Sequence, residues 1–342
     1  MVPRRHRIRR RGRCAVSMDI PRAHLARWLR LGGLLLSAAA IVWIALRFVR
    51  TGALETLQRA PVSLSSLIVA LLAGAIAYAL AMCLPTLAWW RLMRAFSIRR
   101  IAFQAVFPTY AVSQYGKYLP GNFAHYALRH AWSRRYEIAH AELGLASILE
   151  AALLVFAALG MTLLADTRQL RLISSIDPII AIALVFASVA LLGLALQWAR
   201  GRRLFGAVVP NLPSLSALIF CIVCYAIFLF GSAALMRGLA SALAFHVDSF
   251  AMLLAASAAS WLAGFVVIGA PGGLGVREAT FVALAGASLG ESEALLLIGL
   301  FRVVTFLGDT LFFAAGVLIA RARNRDHANP SDHPSSTSGT SP

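Results

Sequence analysis

Two short stretches combine helix-breaking residues with charge. The first is Tyr115-Gly116-Lys117-Tyr118-Leu119-Pro120-Gly121, followed by Arg129; the second is Gly269-Ala270-Pro271-Gly272-Gly273-Leu274-Gly275, followed by Arg277 and Glu278. Proline removes a backbone donor and glycine removes helical preference, so each stretch ends one helix and opens another. At membrane depth the freed backbone groups survive only inside protein or beside a wet cavity. Paired interruptions in the two halves of a chain point to a transport site. The amides of the helix that follows each break favour an anion, and a nearby arginine suits a phosphate through two parallel hydrogen bonds. The candidate substrate-binding residues are therefore Lys117, Pro120, Gly121, Arg129, Pro271, Gly272, Gly273, Gly275, Arg277, Glu278 and Arg302. For either break alone, an interfacial turn with its arginine at the headgroups is the plainer alternative; the repetition is what points to a cavity.

Three further charges, Glu150, Arg302 and Asp309, fall inside apolar runs. A charge at the bilayer centre costs at least roughly 2.5–3.5 kcal/mol, so each should face protein or water. Arg302 and Asp309 lie seven residues apart, on one helix face about two turns from each other, so each should meet a different helix. Glu278 is the natural partner for Arg302, and Glu150 for Arg129 or Arg277. These carboxylates are either interhelical ties or, for Glu150 and Glu278, proton-coupling groups, and a place near an interface is open to Asp309. His125 and His130 flank Arg129 but do not share a helical face well, which disfavours a metal site. Cys221 and Cys224 lie in an apolar run with no second Cys/His pair to complete a zinc site, and are expected as small core residues. No metal, cofactor or catalytic residue is expected.

The elements that must position these residues follow from composition. The chain has 342 residues, of which 60% are hydrophobic and 13% charged, with a mean hydropathy of +0.76. A soluble domain carries roughly 25% charged residues, so much of this surface must face lipid. Apolar runs predict seven membrane spans at residues 29–48, 64–89, 143–164, 179–198, 215–236, 250–268 and 294–319. Two shorter apolar segments, 101–114 and 276–287, adjoin the breaks. The first has basic flanks and is expected to re-enter from the cytoplasm, the second to finish a crossing as a broken helix. The expected fold class is thus an all-α integral membrane protein, with two inverted halves as one arrangement open to the spans. Trp28, Trp89, Trp90 and Trp198 stand at run ends, where aromatic rings favour the interface, and Gly286-Ala287-Ser288-Leu289-Gly290 has the GxxxG spacing of close helix packing.

The net charge of +18 would suit nucleic acid, but its distribution argues against that partner. Ten of the 32 basic residues lie between Arg4 and Arg30, and others cluster in short loops, as at Arg91, Arg94, Arg99 and Arg100. This is the positive-inside pattern, and it predicts a cytoplasmic N-terminus. The organisation expected is a basic cytoplasmic arm over 1–28, starting at Met1 or Met18, a polytopic membrane domain over 29–323, and a disordered Ser/Pro/Thr-rich tail over 324–342.

The stretches 115–129 and 269–278 resemble the two signatures of the lysylphosphatidylglycerol synthase transmembrane-region family, also called the flippase-like or UPF0104 family. The last span, with Arg302 and Asp309, fits the same pattern, and the resemblance covers about residues 29–323. The chain departs from many relatives at Ala124 and His125, after the first Pro-Gly, and at Ala151, after Glu150. The resemblance implies an integral domain of the bacterial inner membrane associated with lipid translocation. The expected partner is a membrane lipid: an anionic phospholipid, a polyprenyl-phosphate glycan or a hopanoid. The alternative is a non-catalytic membrane partner or scaffold for an envelope-lipid synthesis enzyme. An enzyme is disfavoured: the chain has no Walker A loop, HExxH or GxSxG, and no soluble region long enough for an aminoacyl-transferase domain.

Overall fold

The structure, a computed structural model, describes residues 52–97, 101–119, 124–134, 138, 140–165, 213–267 and 271–328, with 42, 46 and 48–50 before them. Every regular element among these residues is helical. In chain order they are α1 (Ala53–Arg59), α2 (Leu64–Ala81), α3 (Cys83–Phe96), α4 (Phe103–Gln114), a 3-10 turn (Tyr115–Tyr118), α5 (Ala124–Ser133), α6 (His140–Ala165), α7 (Leu215–Ala242), α8 (Phe250–Val266), a second 3-10 turn (Pro271–Gly273), α9 (Val276–Leu289) and α10 (Glu291–Ala328).

Among the described residues, four helical segments are long and apolar enough to cross a membrane: Leu64–Phe96, His140–Ala165, Leu215–Ala242 and Glu291–Arg323. They coincide with four of the seven expected spans. The expected spans at 29–48 and 179–198 fall largely or wholly outside the described residues. The remaining one forms α8, which at 17 residues is a shorter apolar helix. The arm over 1–28 and the tail beyond Ala328 also lie outside the description.

Outward faces explain why these helices need a non-aqueous surrounding. On α2, Leu64, Ile68, Leu72, Ile76 and Leu80 recur every four residues and all are exposed; on α7, Ile219, Val223, Ile227 and Phe230 recur at spacings of four, four and three and are exposed too. Spacing of about four residues aligns them on one helix face. A contiguous apolar stripe of this length is not tolerated in water, and it is what a lipid-facing helix presents. The chain is thus a multi-pass membrane protein by the length, composition and outward faces of its helices.

The inward faces are packed closely through small residues. The helix α10 runs against α2, α4 and α9, while α7 packs on α2, α3, α6 and α8. A Cβ at Gly308 would meet the Ala75 carbonyl oxygen at 2.8 Å, and one at Gly316 would meet Ala111 Cβ at 2.6 Å. Both contacts need glycine, which lets backbones approach where no hydrophobic driving force acts between helices. The helix pair α2–α3 bends at Met82, just before Pro85, whose missing amide interrupts the hydrogen-bond ladder.

Two local expectations are revised and a third is met. Trp89 is not at an interface but fully buried beneath Arg129, whereas half-buried Trp90 donates its indole N–H to the Ile101 carbonyl. Gly290 serves α9 as a C-cap at φ 93°, where a left-handed backbone favours glycine, rather than as half of a packing motif. Cys221 and Cys224 are buried free thiols, as expected of small core residues, with Cys221 Sγ 3.4 Å from the Ala88 carbonyl.

Candidate functional site

The second break is built by its glycines. Gly272, Gly273 and Gly275 have φ of 58°, 72° and 85°, the region that L side chains avoid, so the Pro-Gly-Gly-Leu-Gly run turns the chain sharply into α9. Glu278, at the third position of that helix, accepts a 2.6 Å hydrogen bond from the Gly275 N–H and so caps its own first turn. Its other oxygen holds Arg302 of α10 through Nε. Arg302 also donates through Nη1 to the Gly272 carbonyl at 3.0 Å, satisfying an oxygen that the break exposes. The pair Glu278–Arg302 thus ties both ends of the break to the last helix.

The first break is held by the same helix, two turns on. Lys117 Nζ lies 2.6 Å from Asp309 Oδ2, and the Tyr118 hydroxyl donates to that oxygen at 2.5 Å. Tyr115 and Thr310 share a hydrogen bond at 2.6 Å. The 3-10 turn is also pressed against the start of α5, since a Cβ at Gly116 would sit 2.7 Å from the His125 backbone nitrogen. Pro120 and Gly121 lie outside the described residues. Asp309 itself is buried within the protein. The two breaks touch directly: a Cβ at Gly272 would lie 3.5 Å from the Tyr118 ring. Because Asp309 alone balances Lys117, Asp309→Ala is expected to free the amine. Lys117 should then acetylate several-fold faster than in the wild type, as read by mass spectrometry after a short pulse of reagent.

Arg129 and Glu150 form a buried pair between α5 and α6 at 2.5 Å. Glu150 accepts a second hydrogen bond from the Tyr110 hydroxyl at 3.1 Å, and Arg129 Nε donates to Ser113 at 3.3 Å. The guanidinium is also stacked among rings, 4.0 Å from the Tyr110 centroid and 4.8 Å from that of Trp89. Of the two partners open to Glu150 in the sequence, the structure selects Arg129. His125 is buried beside this pair, while His130 reaches His140 at 2.8 Å on the outside of α5.

These groups surround one cavity of about 80 Å³. Lys117, Arg129, Glu150, Gly272 and Arg277 line it, so residues from both breaks converge there although more than a hundred positions separate them. Arg302 and Glu278 stand behind it, and Asp309 behind Lys117. Sequence reasoning missed its aromatic and polar wall: Tyr78, Tyr110, Gln114, Tyr126, Phe228 and Trp261. A partial signal existed, since Tyr110 and Gln114 stand four apart on one face of α4, and Trp261 interrupts an otherwise small-residue stretch of α8.

The charges are unequally satisfied. Lys117, Arg129 and Arg302 each hold a carboxylate; Arg277 holds none among the described residues, and its Nε has no hydrogen-bond partner there. Its guanidinium lies 5.7 Å from the Trp261 ring. The side chain is threaded between two glycines, for a Cβ at Gly264 would meet Arg277 Nε at 2.8 Å and one at Gly273 would meet it at 2.9 Å. Gly264→Ala is therefore expected to displace Arg277 while leaving its charge in place. Any ligand contact made by Arg277 should weaken in this variant about as much as in Arg277→Ala, while the helices remain folded by circular dichroism.

No protein-family model matches the chain, and comparison with curated proteins gives no match. The resemblance described above therefore rests on the two motifs themselves.

Proposed function

We propose that the protein is a lipid flippase or lipid-handling transporter that binds an anionic headgroup at Arg277, between its two breaks. The observation that carries this reading is the charge balance of the cavity. Three of its neighbouring cations are neutralised by carboxylates that also hold the fold together, while Arg277 reaches the cavity with no counter-charge among the described residues. A buried, uncompensated guanidinium is costly unless an anion completes it. The aromatic wall gives the apolar part of a lipid a surface, and the outward stripes of α2 and α7 leave the cavity within reach of acyl chains. The resemblance of 115–129 and 269–278 to the flippase-like family points the same way. In this reading the chain crosses the bacterial inner membrane seven times with its N-terminus in the cytoplasm, and the cavity takes an anionic phospholipid or a polyprenyl-phosphate lipid without chemical change to it. A hopanoid bearing no anionic group fits Arg277 less well.

The test is leaflet exchange of fluorescent lipids in liposomes. Arg277→Ala is expected to slow exchange at least about tenfold, the loss of a charge-assisted hydrogen bond. Its thermal stability should change by no more than about 1 kcal/mol, because no ion pair is broken. Wild-type rates equal to those of Arg277→Ala and of empty liposomes, for phosphatidylglycerol and for a polyprenyl phosphate alike, would sink the reading. Glu278 is the wrong residue for this test, since removing it uncaps α9 and strands Arg302.

A further inference from the structure

Behind Arg277 lies a second, smaller chamber of about 30 Å³, between α7, α8 and α10. It shares Arg277, Trp261, Phe228 and Tyr78 with the main cavity, so these side chains form the partition between the two. Its far wall carries Arg302, and serine and threonine hydroxyls enter it from three helices: Ser232, Ser257, Thr305 and Ser260, the last already donating to the Ser257 carbonyl. Ser232 and Thr305 spend their protons on the carbonyls of Phe228 and Arg302. Ser257 makes no side-chain hydrogen bond among the described residues, so its hydroxyl is free to donate.

Two guanidinium donors at this chamber's walls also go unused: Arg277 Nε and Arg302 Nη2 are buried without an acceptor. A buried donor left without an acceptor is costly, and more so when it is charged. Among the described residues the carboxylate beside them is Glu278, and both of its oxygens are committed, one to Arg302 and one to the Gly275 N–H. Two arginines against one carboxylate leave a single positive charge. Most of the remaining lining is apolar, with Phe228, Leu229, Ile298 and Phe301 among it, which strengthens any ionic contact made inside.

We propose that this chamber is a second anion subsite, taking a singly charged phosphate group between Arg277 and Arg302 with Ser257 as a third donor. It shares Arg277 with the headgroup reading but needs no lipid to cross the membrane. The group can arrive on a lipid headgroup passing Arg277 from the main cavity, or as free phosphate.

The experiment titrates inorganic phosphate into the purified full-length protein at constant ionic strength and reads heat of binding. Saturable binding is expected, weakened roughly tenfold in Ser257→Ala, the loss of one hydrogen bond to a charged group. In Ser257→Leu, whose side chain fills the chamber, binding should be lost. Circular dichroism and the thermal midpoint show whether each variant is folded, and the alanine variant keeps the test decisive if the leucine variant is not. Absence of saturable phosphate binding, or binding undiminished in a folded Ser257→Ala and Ser257→Leu, overturns the proposal. Repeating the titration in phosphatidylcholine nanodiscs with and without phosphatidylglycerol identifies the source, because competition by phosphatidylglycerol assigns the chamber to a headgroup and its absence to free phosphate; both support the subsite. Lipid exchange that persists in a protein that binds no phosphate overturns this proposal alone. Phosphate binding in a protein that exchanges no lipid overturns the transport reading alone.

Discussion

Glu150→Ala is expected to cost about 3–5 kcal/mol of stability, the usual penalty for stranding one member of a buried ion pair. The Arg129 and Glu150 side chains are 1% and 3% exposed, so neither charge can turn to water when its partner is removed. Arg129 would keep only the Ser113 hydroxyl and the rings of Tyr110, Trp89 and Tyr126 around a full positive charge. Tyr110 would lose the acceptor of its own hydroxyl at the same time. The double variant Arg129→Leu, Glu150→Leu should recover most of the loss, because apolar residues of similar volume replace a buried pair at little net cost. Thermal unfolding in detergent of the wild type, both single variants and the double closes the cycle. A double variant no more stable than Glu150→Ala would show that the pair is not energetically coupled, and the structural role given to it here would fail. Lipid exchange adds a second reading: if Arg277 is the headgroup cation, the folded double variant should retain exchange that Arg277→Ala lacks.

The second large effect is expected at Gly273. Its φ of 72° is a left-handed conformation, costing about 1–2 kcal/mol for a residue with a Cβ. The Cβ of Gly273→Ala would in addition lie 2.9 Å from Gly264 Cα, 3.0 Å from the Gly264 carbonyl oxygen and 2.9 Å from Arg277 Nε. Two of these neighbours are backbone atoms of α8, which cannot rotate away. Overpacking of this kind adds about 1–3 kcal/mol, for a total on the order of 3 kcal/mol, and the relief must come from moving the break away from α8. Arg277 and the Gly272 carbonyl held by Arg302 would move with it. Gly273→Ala should therefore lower the thermal midpoint and abolish lipid exchange together, whereas Gly264→Ala should mainly affect exchange. Equal midpoints for Gly273→Ala and the wild type would contradict the close packing of the break against α8.

Much of this architecture is legible in the residues taken one element at a time. The four long apolar helices follow from run length alone, and the Pro-Gly-Gly-Leu-Gly turn follows from residue types that tolerate positive φ. The pairing of Glu278 with Arg302 follows from a simple cost: an acidic residue at the head of one helix and an arginine inside the next must find each other in a medium without water. By the same cost, Arg302 and Asp309 could be assigned to different partner helices from their spacing. What spacing cannot supply is which surfaces meet. Glu150 had two possible arginines 21 and 127 positions away, and no local property distinguishes them. Trp89 shows the opposite failure, since a tryptophan at the end of an apolar run is as well suited to stacking under a buried guanidinium as to an interface.

The pair of breaks shows where the division falls. Their existence, their glycines and the charges beside them were determined by the sequence itself, because backbone conformation and the cost of an unpaired charge are properties of single residues and their near neighbours. Their union was decided only by the tertiary structure. The helix α10 grips one break with Arg302 and the other with Asp309, bringing Gly272 against Tyr118 and turning Arg129, Lys117 and Arg277 into one cavity. Which of those three cations stays free for a ligand depends on where every carboxylate lands after packing, and that is a property of the whole fold.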